Sequence, residues 1–252
     1  MSSNRKQELS GEAAFLERLQ EDYAVATSSQ TRVLRELTMR TFRPYIHGGF
    51  ALELGCSDGY MTSMLAGLVE HLDVVDASSR FIEQAAARGL ANVSYIHSLF
   101  ESYQTEQRYD HIFASFVLEH VLEPDAVLDM ARGLLRERGL LFVAVPNARA
   151  LSRQWAVHMG LLPGLYALTE NDIRHGHRRV YDRVSLNRDL ASAGFESIAE
   201  GGLMLKIFAD FQMDSLIDDG TLGSGHIDGL YRMGLEYPDL CGALFSVCRR
   251  RG

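Results

Sequence analysis

Cysteine is scarce in this chain: there are three in 252 residues, Cys56, Cys241 and Cys248. So few and so scattered, they exclude a disulfide framework and a four-ligand zinc site, and they read as reduced thiols. An excess of positive charge is missing too. With 25 Lys and Arg against 33 Asp and Glu, the net charge is -8 and the pI near 5.6. That balance offers no broad cationic face to neutralise phosphates, so it argues against sequence-independent nucleic-acid binding and leaves room only for a local basic patch. Long apolar runs are absent: no window approaches 18 uninterrupted apolar residues, so no membrane-spanning helix and no membrane partner are expected. The first residues, MSSNRKQELSGEAAFLERLQ, carry charges throughout and hold no apolar core of signal-peptide length. A cytoplasmic protein is therefore expected. Internal repeats, low-complexity tracts and Pro/Ser-rich linkers are lacking as well, so residues 1–252 read as one domain.

What is present is enough apolar residue, 46% of the chain, to bury the core of one large α/β domain. Residues 8 to 21 and 30 to 43 carry helical spacing, with Phe15, Leu16 and Leu19 on the first and Val33, Leu34 and Leu37 on the second. From Phe50 onward, short apolar runs alternate with helical windows: 50 to 54, 72 to 75, 93 to 97, 110 to 115 and 139 to 145 read as strands. Helices are expected near 60 to 70, 79 to 88 and 124 to 136. That alternation predicts a doubly wound, mostly parallel sheet. After Pro146 the rhythm breaks for about 35 residues, a length that in a compact fold marks a functional or mobile segment. It resumes with a helix over 182 to 192, a strand from 195, a polar insertion near 212 to 236 and a last apolar run, GALFSVC.

The stretch ALELGCSDGYM, Ala51 to Met61, sets a strand end against a glycine turn that opens a helix. Backbone amides and the helix N-terminus there face a ligand at the carboxyl edge of the sheet. The spacing is wrong for a dinucleotide: from Gly55, glycine recurs only at the fifth position, Gly59, and Asp58 would set a carboxylate beside a pyrophosphate. A nucleoside carrying a positive charge and an amino acid fits better, because Glu53 and Asp58 would attract it.

LELGCSDG resembles the E/D-x-G-x-G-x-G motif of class I S-adenosylmethionine-dependent methyltransferases, with Ser57 in place of the middle glycine. Further stretches fall where that family has them, from about residue 45 to 146. The second strand, LDVVDAS, ends in Asp76, 21 residues after Gly55, where an acidic side chain accepts from both ribose hydroxyls. The third ends YIHSLFE, with Ser98 where the family commonly has an adenine-reading aspartate and Leu99 and Phe100 to flank the ring. The fourth, YDHIFASFVLEHV, carries Ser115 at its cofactor-facing end. The resemblance implies a Rossmann-like, seven-stranded sheet organised as N-terminal helices (1–45), cofactor-binding core (46–146), lid (147–181) and C-terminal part (182–252). It implies S-adenosyl-L-methionine as cofactor, held by Glu53, Gly55, Cys56, Ser57, Gly59, Asp76, Ala77, Ser98, Leu99, Phe100 and Ser115.

Methyl transfer from a sulfonium is an in-line displacement in which positioning does much of the work; a base is needed only for an acceptor that bears a proton. His120, in the pair Glu119–His120, is one base candidate. The pair resembles the E-x-x-E-H metal motif of ubiquinone-biosynthesis O-methyltransferases and small-RNA 2′-O-methyltransferases, but Phe116 stands where the first glutamate would be, so no metal is expected. The alternative for His120 is packing beneath the cofactor. The stretch IRHGHRRVYD supplies His175 and His177 as further base candidates, and Arg174, Arg178, Arg179 and Tyr181 as an anion-recognising lid; the alternative is a solvated or salt-bridged loop. Lys206, in an apolar strand pattern, either faces water at the sheet edge or faces the acceptor. The expected activity is methyl transfer, most plausibly to oxygen, on a small molecule or sugar of a secondary metabolite or surface glycan. The competing readings are an RNA 2′-O-methyltransferase and a cofactor-binding scaffold subunit without turnover of its own. The N-terminal helices and the 212 to 236 insertion offer surfaces for a homodimer or a lid.

Overall fold

The computed structural model describes residues 28–252; the helix expected over 8 to 21 lies outside the described residues. Helix α1 (Ser29–Phe42) starts where the Ser28 hydroxyl accepts from the Thr31 amide and runs on the expected apolar spacing. There follow β1 (Phe50–Leu54), α2 (Tyr60–Ala66), β2 (His71–Asp76), α3 (Ser79–Ala86), β3 (Val93–His97) and β4 (Tyr109–Ser115). Then come α4 (Pro124–Leu134), opened by a proline whose missing N–H costs nothing at a helix start, and β5 (Leu135–Pro146). The 35-residue break contains two short helices, α5 (Leu151–His158) and α6 (Glu170–Arg174). It ends at α7 (Arg183–Ser192), where Asp182 and Ser185 form a capping box. β6 (Phe195–Gly202) and β7 (Ala243–Arg250) complete the sheet. The insertion between them is a helix pair, α8 (Asp210–Asp218) and α9 (Ser224–Glu236), where the sequence pattern gave only a polar stretch.

The seven strands order as β3-β2-β1-β4-β5-β7-β6, with β7 antiparallel to both neighbours. The chain reverses outward from β1, so the carboxyl ends of β1 and β4 flank the switch point where open α/β sheets bind ligands. Side-chain alternation sends Leu52, Leu54, Ile112, Ala114, Leu141 and Val143 to one face, under α4 and α7. It sends Ala51, Leu72, Val74, Phe113 and Phe142 to the other, under α1, α2 and α3. On that second face Phe113 stacks on Phe142 at 4.6 Å and Phe42 meets Phe142 edge-on at 5.1 Å. By the same alternation Glu53, Asp76 and Ser115 point to the α1–α3 face. A smaller cluster, Leu37, Met204, Met213 and Tyr231, fastens α8 and α9 to α1.

Lys206 is not in a strand. It follows β6, its ammonium pairs with Asp210, and its carbonyl accepts from the Ser152 amide of α5. Pairing offsets the cost of its partial burial, so it plays the part of a surface clasp.

Candidate cofactor and methyl-transfer site

The glycine turn is built from left-handed residues. Gly55 (φ 78°), Ser57 (φ 48°) and Gly59 (φ 74°) all lie in that region, and the Gly59 amide closes on the Cys56 carbonyl at 2.8 Å. A Cβ at Gly59 would stand 2.8 Å from the Cα of Ala85 in α3, a backbone contact that cannot yield. Gly59 therefore serves helix packing. A Cβ at Gly55 would stand 3.3 Å from Val117 and 3.8 Å from the ring of Phe100, so this glycine keeps an opening between turn and ring. Ser57, where the family motif has glycine, takes the glycine's conformation.

Asp76 ties the turn to the second strand. Its Oδ2 accepts from the Cys56 amide and its Oδ1 from the Ser78 amide, both at 2.8 Å. Burial raises its pKa, and these amide bonds work against that rise. The Cys56 thiol also lies 3.6 Å from Oδ2, so the carboxylate is held by the turn and the start of α3 together. Asp76 is thus a structural tie between the turn and the end of β2. Helix capping falls to Ser78, whose hydroxyl accepts from the Phe81 amide. Glu53 is 4% exposed, its Oε2 has no partner among the described residues, and burial pushes its pKa up to about 8. Ser115 Oγ is likewise buried and unpartnered. Orphaned polar atoms at two adjacent strand ends, beside an opened glycine turn and the carboxylates of Glu53, Asp58 and Asp76, fit a cationic nucleoside and not a pyrophosphate.

Other expected contacts are placed more plainly. The Ser98 hydroxyl donates to the Leu99 carbonyl, and Leu99 and Phe100 beside it are partly buried. Ala77 gives its carbonyl to His97 at 3.0 Å. Phe116 has φ 59°, a strained conformation for a bulky residue, right after Ser115. Sequence gave no sign of that strain, nor of Arg35. From α1, Arg35 reaches the turn, with Nη1 2.8 Å from Asp58 Oδ1 and Nη2 3.4 Å from Ser57 Oγ.

A second constellation lies in the loop after β4. Ligand atoms of Glu119, His120 and His177 all fall within 4.8 Å of one another, and the two imidazoles meet edge-on at 4.7 Å. Glu119 is fully buried, both carboxylate oxygens are unpartnered, and burial pushes its pKa up to about 7. Burial, reinforced by His177, lowers His120 to about 3, so its imidazole is neutral and too weak a base to accept an acceptor's proton near neutrality. His177 has a partner that sequence reasoning missed: its Nδ1 lies 3.1 Å from Oδ1 of Asp172. Burial opposes ionisation of Asp172, but hydrogen bonds from His177, Thr169 and Arg153 outweigh it and hold the acid well below the usual carboxylate range. The ionised Asp172 accepts a hydrogen bond from Nδ1 of His177 and so fixes the orientation of its ring.

The basic stretch around His175 to Arg179 is mainly a strap. Arg179 donates to the carbonyls of Leu118, Val121 and Leu122. The Arg178 amide and Nε donate to the carbonyls of Glu119 and His120, each at 2.8 Å. Arg179 thus spends its guanidinium on backbone, which removes it from the expected anion lid. Tyr181 also leaves that lid: it is 2% exposed, packed in the core under α4 and α7, and burial raises its pKa. His175 turns back on its own helix, bonding the Asn171 carbonyl at 2.7 Å, while Arg174 is exposed.

A family model described as a methyltransferase domain matches residues 26–200, well over half of the chain, and the chain belongs to that family. It is an S-adenosylmethionine-dependent methyltransferase domain, with S-adenosylmethionine as its cofactor. The ubiquinone biosynthesis O-methyltransferase of Xylella fastidiosa (strain 9a5c) is 32% identical over 107 residues, 40% of this chain and 44% of that protein. The protein of the same name from Methylocella silvestris is 27% identical over 187 residues, 68% of this chain and 72% of that one. Apart from that longer match, the chain spans about half the length of the curated relatives it matches. Among solved structures, the N-methyltransferase NodS from Bradyrhizobium japonicum WM9, in complex with S-adenosyl-L-homocysteine, is similar in fold. It has a TM-score of 0.62 at 14% identity, covering 93% of this chain and 97% of that one. The 1,6-didemethyltoxoflavin-N1-methyltransferase of Burkholderia thailandensis has a TM-score of 0.63 at 13% identity, covering 100% and 92%. At such identities the likeness is one of fold. No helix among the described residues is long and apolar enough to cross a membrane.

Proposed function

We propose that this protein methylates a hydroxyl group of a small-molecule acceptor, with His177 as the base. The observation that carries the reading is the Asp172–His177 pair, which holds the His177 ring by its Nδ1 edge against His120 at the end of the loop that follows β4. When bound, S-adenosylmethionine supplies an electrophilic methyl group on a sulfonium. Glu53, Asp76, Ser115 and the 55–59 turn would hold it, with Phe100 against the base. An acceptor hydroxyl would give its proton to Nε2 of a neutral His177, with Asp172 stabilising the resulting imidazolium, and the S–C bond broken at the sulfonium would leave the neutral thioether S-adenosylhomocysteine. The names of the curated relatives, O-methyltransferases of ubiquinone biosynthesis, support oxygen as the acceptor atom.

The test is turnover with a panel of phenols, catechols, sugars and amines. Wild-type protein should methylate a hydroxyl acceptor, and His177→Ala should lower kcat by about 100-fold or more with the affinity for S-adenosylhomocysteine unchanged. Methylation of amines alone, or a His177→Ala variant at full speed, would sink the reading. Binding of the cofactor with no turnover on any acceptor would favour the scaffold alternative.

One observation favours a second reading of the same cluster. A buried carboxylate with neither oxygen paired is costly, and a divalent cation bound by Glu119, His120 and His177 would satisfy it. His177 would then be a ligand, its Nδ1 fixed by the Asp172 carboxylate. Loss of activity on chelation, restored by one divalent metal and absent from Glu119→Gln, would select this reading over the base.

A further inference from the structure

We propose that Arg153 is a positioning residue for methyl transfer, acting through Asp172 to aim the His177 ring; the inference rests on the base reading above. Asp172 divides the work between its two oxygens. Oδ2 takes three donors, the Thr169 amide and hydroxyl at 2.8 Å each and Arg153 Nη1 at 3.0 Å, while Oδ1 is left to His177 Nδ1 at 3.1 Å. Holding one oxygen of a planar group by three donors fixes the direction of the other, so the donors on Oδ2 decide where Oδ1 points. The backbone adds a second tie, from the His177 amide to the Asp172 carbonyl at 2.8 Å. That bond sets the spacing of the two residues but leaves the rotation of the imidazole to the side-chain contact.

Thr169 is accounted for by the helix it starts: with Asp172 it forms the capping box of α6, and that box is complete without any cation. Arg153 has no part in the cap. It comes from α5, 19 residues earlier in the chain, and its remaining bonds go to the carbonyls of Leu165, from Nε at 3.1 Å, and Ala167, from Nη2. One guanidinium thus joins both short helices of the lid, and the loop between them, to the carboxylate that holds the histidine. The side chains of Arg153, Asp172 and His177 are only 15%, 10% and 14% exposed, so water competes little for these bonds. The series ends at His120, whose ring the His177 ring meets edge-on at 4.7 Å. A lysine could pair with Asp172 but has no planar fork to reach two carbonyls as well.

The experiment measures transfer from S-adenosylmethionine to the hydroxyl acceptor of the panel above that turns over fastest, together with proton NMR of the ligand-free protein. Arg153→Met should lower kcat by about 10-fold or more. The KM for the acceptor and the affinity for S-adenosylhomocysteine should stay within about 2-fold of wild type. Arg153→Lys, which keeps the charge beside Asp172, should recover part of the loss in kcat. In the Asp172→Asn background, Arg153→Met should cost less than about 2-fold further, because both substitutions act through one hydrogen bond. The wild type should show a downfield ring N–H resonance, absent from His177→Gln, that Arg153→Met removes. Additive losses in the double variant, or a kcat and a ring resonance untouched by Arg153→Met, would overturn the proposal and leave the base reading standing. So would a cofactor affinity that falls in parallel with kcat, since Arg153 would then be a general prop of the lid. A His177→Ala variant at full speed, or a panel in which no hydroxyl is methylated, would overturn the base reading and the proposal with it.

Discussion

The cofactor side and the lid side of this molecule reach their geometry by different routes. On the cofactor side, the buried acids and the serine sit at or near the carboxyl end of a strand, in a sheet register that fixes them: Glu53 on β1, Asp76 on β2, Ser115 on β4. On the lid side, residues 147 to 181 contribute only two short helices, and the strap that fixes their end is made by contacts 57 to 61 residues away, Arg179 with the loop at 118 to 122. The first kind of site is written locally. The second exists only once the chain has folded.

The largest expected effect tests the local side. Gly59→Val forces a β-branched residue to φ 74° and drives its Cβ onto the Ala85 backbone. Chemical denaturation should show a loss of about 4 kcal/mol, the sum of backbone strain and overpacking, with S-adenosylhomocysteine affinity lost in parallel. A variant of near wild-type stability would mean that α2 and α3 are not locked by this contact.

Next comes pH. Glu53, raised from about 4.5 to about 8 in the folded protein, binds its proton more tightly folded than unfolded. Its contribution is therefore present below the unfolded value and is lost as pH rises through 8; Glu119, raised to about 7, acts in the same direction. His111 and His120, lowered by burial to about 4 and about 3, act in the opposite direction, but only as pH rises to the unfolded value of 6.5. Between pH 7 and 9 the ligand-free protein should therefore lose on the order of 2 kcal/mol, and Glu53→Gln should flatten that fall. Binding of the cationic cofactor favours ionised Glu53, so its affinity should rise over the same interval. Stability that climbs with pH over that interval would contradict the buried, unpaired state of these acids.

Arg179→Met sharpens the contrast from the other side. Removing the strap leaves three loop carbonyls without their donor. The expected cost is about 2 kcal/mol, read by thermal unfolding, while affinity for S-adenosylhomocysteine stays within about 2-fold. A cofactor affinity that collapsed with the strap would erase the distinction between the two sides. The smallest effect belongs to Ser57→Gly, which restores the family glycine at φ 48°. Relief of left-handed strain and the extra freedom of the unfolded chain nearly cancel, so stability should move by less than about 1 kcal/mol.

The strand alternation made the sheet legible, because a run such as Phe50–Leu54 has one structural use when it is followed by a glycine turn and a helical window. The antiparallel place of β7 left no mark in the sequence, since a buried strand is equally apolar in either direction. The α8–α9 pair hid behind a polar surface; its apolar side is short and meets α1 far away in sequence. Tyr181 looked like a lid residue because it adjoins a basic stretch, yet the chain turns there into the core. Asp172 was invisible as a partner, for nothing in a capping box announces that the same carboxylate also holds a histidine.

By itself, then, the sequence determined the turn at 55 to 59, the acid at the end of β2 and the succession of strands along the chain, because strand ends carry their residues to one edge whatever surrounds them. Only the tertiary structure decided the chemistry opposite. Whether Arg179 meets an anion or a backbone carbonyl depends on which distant groups share its burial, and whether His177 stands alone or against Asp172 depends on how the short loop between them folds back. Burial and partnership of charges are properties of the packed chain, not of any stretch of it.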